Sequence, residues 1–503
     1  MNTVDVVGGD VPFLAARQFI SALELKDSHL TYVLRFATHV EPKPDKATLN
    51  DQQPLKGQLR FRGTDRCLAE LRILGWHIRD TFTTGLGLTH NGRLNDADEA
   101  FFRSLVEHSR GALRVTYAGT DASGIDDETR QVLADRDWIV QEFKDARSDH
   151  DWRQLRRRCA RYLRCGDSWT VRWLLEELLR HAVRLPAHVA HLTGLAYQMQ
   201  GLSGEAELFY RAAAEGEGPG ARSGLDSLAM LYVRHHPIAL RSLGQAEHLL
   251  TKAVTDEATT PSPGKGDVLD FALRRNALAL VHMRMGDLDQ AATDMSTALD
   301  LLTSTTGNAH ARAILLNNLG RLRISAGRPA NEAESALRAA TELDPNLPEY
   351  WLDLAFHLAR SGSATDALTA ARRADELTNV IAEIPALVGY LLAAAEEHTA
   401  AAHEYLRAAT RATDATDHLL DAVRQFCAAD DYPQAHAALS RIAPLPDSDE
   451  RTADFALLQL ETTANLEQWS PDLLAERLHA LSVRFPESEL VASNVAAMRG
   501  AGA

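Results

Sequence analysis

The chain has 503 residues, 45% of them apolar and 24% charged, the make-up of a soluble folded protein. A formal charge of −16 disfavours nonspecific binding to nucleic acid or to an anionic membrane, because phosphates repel an acidic body. The longest apolar run, about Pro385 to Ala395, is too short to span a bilayer, and MNTVDVVGGD has neither a basic n-region nor a signal-peptide core. Cys67, Cys159, Cys165 and Cys427 are too scattered for a disulfide framework or a CxxC metal site. These features predict a cytoplasmic protein with no metal and no cofactor. Basic residues are 46 arginines against seven lysines, as GC-rich bacterial coding would give, so only the position of an arginine carries information.

Residues 1–148 predict a small α+β domain. His29 to Val40 alternates like a strand, Glu41 to Lys56 reads as a loop and Gly57 to Gly63 as a second strand. Thr64 to Gly75 begins with a threonine N-cap and reads as a helix. Asn95 to Ser109 has acidic residues in its first turn, which suits the helix dipole. Ala112 to Gly119 is a predicted strand, and Asp126 to Phe143 a predicted helix.

From about residue 149 the sequence changes character. Asp151 to Ala182 reads as a degenerate helix pair. Beyond it, short polar turns precede stretches with small residues at helical spacing, in Gln200 to Glu215, Met285 to Leu299 and Ser361 to Leu377. Aligned on the alanine after each turn, the units fall at Ala206, Ala246, Ala291, Ala333, Ala367, Ala401 and Ala435, with Leu474 in the last. Three consecutive steps from Ala333 to Ala435 are each 34 residues. Trp351, Leu354, Ala355, Leu358, Gly362, Ala367, Ala371 and Ala374 stand at the tetratricopeptide-repeat spacing, as do Gly194, Tyr197, Gly201, Ala206, Tyr210 and Ala213. Gly389, Leu392, Ala401, Tyr405 and Ala408 fit as well, with Glu396 in place of the turn glycine, and Pro345 and Pro486 supply closing prolines.

Residues 149–503 thus resemble the tetratricopeptide-repeat family. The resemblance implies an α-solenoid of eight or nine helix pairs, closed by a capping helix over Ser488 to Met498. Small residues let paired helices approach, and large ones fill the space between them. Arg234 to Leu243 adds about five residues inside one unit, Thr255 to Asp267 lengthens the following loop, and the turn at Arg328–Asn331 is one residue long.

Searches for a phosphate loop, HExxH or GxSxG find none. Gly216 to Gly224 is glycine-rich but follows a helix, so it reads as an inter-repeat loop and not a dinucleotide fingerprint. His188 and His191 lie three apart without a third metal ligand, and His235–His236 is a loop pair. Arg60 to Arg66 with Phe82 to Gly87 loosely resembles ADP-ribosyltransferases, although neither Asp127 to Thr129 nor Gln141–Glu142 supplies the catalytic glutamate setting. Leu71 to Arg93 has the rhythm of a winged helix ending in its wing. Arg153, Arg157, Arg161 and Arg164 share one helical face opposite Trp152, Leu155, Cys159 and Tyr162, which reads either as a solvated face or as a patch for an anion or acidic partner.

In the family the first helices of each pair line a concave groove that holds peptide ligands. Counting along the template places Asn276 and Asn317 at one inward position of adjacent units, with Arg284 and Arg321 in the same groove and Phe356 and Tyr390 further along. Asparagine can donate to and accept from an extended backbone, and arginine can hold a carboxylate bidentately. The usual clamp lysines are missing. Hydrogen bonding of the asparagines between repeats is the competing assignment. The leading expectation is a non-catalytic adaptor binding a peptide or protein segment in the groove. Its alternatives are an enzyme or effector whose N-terminal domain acts on a target chosen by the repeats, and a peptide-responsive transcription regulator. The catalytic residues of such an enzyme are unknown, and self-association is compatible with a repeat stack.

Overall fold

The computed structural model describes residues 2–7, 11–23, most of 71–109, 112–117, 127–141, 148–180, 185–258, 265–303, 308–442 apart from 380 and 413, 445–446, and 451–501. The strands expected within His29 to Val40 and Gly57 to Gly63, the loop between them, Arg60 to Arg66 and most of Thr64 to Gly75 lie outside the described residues.

The N-terminal part is built on three strands, β1 (Asn2–Val7), β2 (Leu86–Asn91) and β3 (Leu113–Tyr117), paired in parallel in the order β1-β2-β3. Among the described residues they are accompanied by helices that include α1 (Leu14–Ala22), α2 (Asp96–His108) and α3 (Asp127–Gln141). Strand β3 and helices α2 and α3 fall where the sequence predicts them. Strand β2 corrects the winged-helix reading. A wing is an antiparallel hairpin, whereas β2 is the middle strand of a parallel sheet, and Leu86 and Leu88 are 1% exposed. Phe19, Phe101, Phe102 and Leu105 complete that core.

Buried Asp98 ties α2 to α1. Its carboxylate accepts hydrogen bonds from Ala16 N (2.8 Å), Ala15 N (3.3 Å) and Asn95 Nδ2 (2.6 Å). Burial pushes its pKa up to about 6, although those donors and Arg17 pull the other way.

Next come the helix pairs α4 (Asp149–Arg164) with α5 (Ser168–Leu179), α6 (Ala187–Met199) with α7 (Ser203–Ala214), and α8 (Gly218–Met230) with α9 (Leu243–Ala258). Two more follow, α10 (Lys265–Met285) with α11 (Leu288–Thr303) and α12 (Ala309–Ser325) with α13 (Ala330–Leu343). The chain divides into two compact units at Asn346/Leu347. In the first, Val11, Leu14, Val132 and Ile139 share one core with Leu155, Tyr162 and Leu174, so the N-terminal helices and the first repeat pair are packed together.

The second unit holds α14 (Pro348–Arg360) with α15 (Ala364–Leu377), α16 (Glu383–Ala394) with α17 (His398–Arg411), and α18 (Thr416–Ala428) with α19 (Tyr432–Leu439). Helices α20 (Thr452–Leu466) and α21 (Pro471–Arg484) form its last pair, and α22 (Glu489–Ala501) is the expected closing helix.

One turn chemistry recurs through both units. The first helix of a pair ends with a residue at positive φ, and the next N–H reaches back five residues to a carbonyl, a Schellman closure. Leu202 N to Tyr197 O (3.1 Å) across Gly201 (φ 76°) is one case, and Ser363 N to Leu358 O (2.9 Å) across Gly362 (φ 82°) another. Gly166 closes the degenerate α4/α5 pair in the same way through Asp167 N to Tyr162 O (3.0 Å). Glu396 (φ 61°), Asp430 (φ 56°) and Gln468 (φ 52°) fill this left-handed position without being glycine.

The α8/α9 pair is the exception. There the extra residues form a π-turn over Leu231–His235 and a 3-10 turn over Ile238–Leu240, closed by Ser242 N to Tyr232 O (3.0 Å). The seven anchor alanines, Ala206 through Ala435, are all 0–1% exposed, so the alignment register is also the packing register. Leu474 is only half-buried, and Leu478 supplies the buried side chain of that helix.

Candidate interaction surface

Helices α10 and α12, the first helices of adjacent pairs, carry the four residues expected in the first unit's groove. Asn276 and Asn317 are 7% and 6% exposed. The Asn276 amide oxygen accepts from Asn318 Nδ2 at 2.9 Å, a bond between neighbouring repeats. That is the competing assignment for Asn276, and a buried amide engaged in this way has little left for a ligand. Counting picked Asn317 as its counterpart, but the partner is the next residue.

Arg284 and Arg321 behave differently. Both are exposed at the surface; desolvation of the Arg284 guanidinium and then the charge of Arg321, which lies within electrostatic reach, lower the Arg284 pKa. Among the described residues no carboxylate forms an ion pair with either; Arg284 Nη1 makes only a long contact of 3.5 Å with Leu280 O. Two like charges converge here on an acidic chain. Phe356 on α14 and Tyr390 on α16 are 41% and 59% exposed, so the second unit presents an aromatic residue on each of two successive first helices.

The arginine face of α4 is partly occupied. Its opposite face is buried as expected through Trp152, Leu155, Cys159 and Tyr162. Asp135 on α3, 1% exposed, accepts from Arg161 Nη2 (2.9 Å), from the Tyr162 hydroxyl (2.7 Å) and from Arg158 Nη1. Arg161 therefore serves an internal ion pair, which corrects its place in a free patch. Arg153 and Arg157 are exposed, and the Arg164 side chain lies outside the described residues.

Other expected features have structural roles. His191 Nε2 lies 2.9 Å from Ser227 Oγ and its ring faces Tyr210, while His236 is buried with Nε2 3.3 Å from Glu207. Burial and the charges of Arg234 and Arg241 push His235 down to about 4, leaving it neutral near pH 7. No group of three metal-ligating side chains occurs among the described residues.

The glycine-rich stretch is mostly helix and not the expected loop: Gly218 to Gly224 open α8, and only Gly216 and Glu217 lie before it. A Cβ on Gly220 would stand 2.5 Å from His188 N, and one on Gly224 2.9 Å from Ala214 N, so these glycines let α8 press against α6 and α7. Sequence reasoning missed the polar linkage within and between repeats. Arg274 grips Asp226 with two bonds (2.7 and 2.8 Å), and fully buried Asp294 binds Arg275 (2.8 Å) and His282 Nδ1 (2.9 Å). Their sequence separations of 12 to 48 residues leave no local signal.

Residues 270–346, which include α12 and most of α10, match the tetratricopeptide-repeat family model. No curated protein matches the chain. Among solved structures, one from the functional characterization of Pseudomonas aeruginosa pilF is 19% identical, covering 48% of this chain and 97% of that one at a TM-score of 0.36. The type IV pilus biogenesis factor PilW is 19% identical, with 44% and 98% covered and a TM-score of 0.33. YrrB, described as a TPR protein with an unusual peptide-binding site, is 16% identical, with 44% and 96% covered and a TM-score of 0.30.

Proposed function

We propose, from the premise that this chain is a tetratricopeptide-repeat protein, that it works as a protein-interaction scaffold holding a protein segment along the first helices of its repeats. Arg284 and Arg321 are the grip. One observation carries the reading: two exposed guanidiniums from adjacent repeats converge without a carboxylate partner among the described residues, on a chain of net charge −16. Such a pair repels itself until an anion arrives, so a bound carboxylate gains two charge-assisted bonds and relieves the repulsion.

The occupant that fits is an acidic side chain or a chain end on an extended segment. The Asn276–Asn318 bond sets the spacing of α10 against α12 and so positions the arginines. Phe356 and Tyr390 give the second unit apolar contacts for a segment of its own.

The test is affinity capture from a bacterial lysate with the full chain as bait, wild type beside Arg284→Ala/Arg321→Ala. A partner retained by the wild type and lost from the variant supports the reading. A partner held equally by both refutes the grip.

A further inference from the structure

A second groove lies away from that arginine pair, along the edge of the first unit where α4, α6 and α8 begin. One cleft of about 670 Å³ is lined by Trp152, Arg153 and Arg156 of α4, by Leu185 and Pro186 before α6, and by Pro219 of α8. A second cleft of about 430 Å³ is lined by Arg222 of α8 and Lys252 of α9. Gly216 and Glu217 line both, so the two are contiguous.

The floor depends on glycine. A Cβ on Gly216 would stand 2.8 Å from Ala187 Cβ and one on Gly220 2.5 Å from His188 N, so side chains there would push α8 off α6. Four cations, Arg153, Arg156, Arg222 and Lys252, face two carboxylates, Glu215 and Glu217, around the pair of clefts. That reverses the balance of the whole chain, in which 69 acidic residues outnumber 53 basic ones. Among the described residues, Arg156, Arg222 and Lys252 form no ion pair close enough to count as a salt bridge.

We infer that this edge groove binds an extended acidic polypeptide segment, with carboxylates toward the cations at either end and an apolar side chain against Trp152, Leu185 and the prolines. Charge complementarity chooses this occupant: an apolar or basic segment would leave the cations unmatched. The inference rests on the scaffold reading of the repeats but not on the Arg284–Arg321 grip.

The test uses the full chain and a fluorescein-labelled peptide of repeated Glu-Leu-Glu-Gly, read by anisotropy at low and physiological salt. Arg156→Glu/Arg222→Glu is expected to weaken binding by about tenfold, with loss of most of its salt dependence. Arg153→Glu/Lys252→Glu repeats the comparison should the first pair disturb the thermal midpoint. Arg284→Ala/Arg321→Ala is expected to bind the probe as the wild type does. Peptide-induced protection from hydrogen exchange is expected over residues 185–190 and 216–222. Failure of the wild type to bind the probe would overturn the inference, as would equal binding of a Gln-Leu-Gln-Gly peptide. So would loss of binding in the Arg284/Arg321 variant alone, which would leave the first-helix grip standing.

Discussion

Asp98 gives the sharpest physical prediction. It lies fully buried, accepts from the Ala15 and Ala16 amides at the start of α1, and has its pKa raised from 3.8 to about 6 by burial. Folding therefore favours its protonated form. Stability from this group is fully present below pH 3.8, fades as pH rises towards 6, and is constant above that. The gap between the two values corresponds to about 3 kcal/mol. Asn at this position keeps one acceptor and the shape but has no proton to exchange. The assay is hydrogen exchange of residues 11–23, corrected for the intrinsic rate, at pH values from roughly 4 to 7. The opening free energy of α1 in the wild type is expected to fall across that range by about 2 kcal/mol more than in Asp98→Asn, the rest of the gap lying below pH 4. Parallel profiles for the two proteins would refute the reasoning.

Three further predictions concern packing. Glu396→Gly relieves a left-handed residue at a closure where the preceding pair uses Gly362, and should raise the urea midpoint of the second unit by the equivalent of about 0.5–1 kcal/mol; an unchanged or lower midpoint would contradict it. Gly194→Ala places a Cβ 2.6 Å from the Tyr210 ring, so urea unfolding should show a loss of about 1–3 kcal/mol. Asp135→Ala strips the acceptor from Arg158, Arg161 and the Tyr162 hydroxyl; with both arginines partly solvated, about 2–3 kcal/mol should be lost, read as earlier exchange of α3 and α4.

The repeats were legible because their signal is local. A buried alanine, a turn residue at positive φ and the next helix all lie within one 34-residue unit, so spacing alone located Ala206 to Ala435. The same locality revealed the extra residues after Arg234, although not that they form a π-turn. The sheet was much less legible. Strand β2, Leu86–Asn91, carries one glycine and three polar residues, and its strand character comes from neighbours more than 20 residues distant on either side. At the candidate site, helical counting put Asn276, Arg284, Asn317 and Arg321 on successive first helices but could not tell which were engaged between repeats. That depends on Asn318, one residue beyond the template position. Arg161 was misjudged for the same reason, since Asp135 reaches it from another helix.

The central claim, that a protein segment lies along the first helices, is tested most directly by photo-crosslinking. Benzoylphenylalanine is placed at Leu280, whose carbonyl lies by the Arg284 guanidinium, and in a parallel sample at Ser296, exposed on the second helix α11. The full chain is irradiated in lysate and the products are resolved by mass. The claim predicts a discrete crosslinked partner from position 280, absent from position 296 and abolished by Arg284→Ala/Arg321→Ala. Crosslinking from position 296 alone, or an identical product from both positions that survives the arginine substitutions, would contradict it.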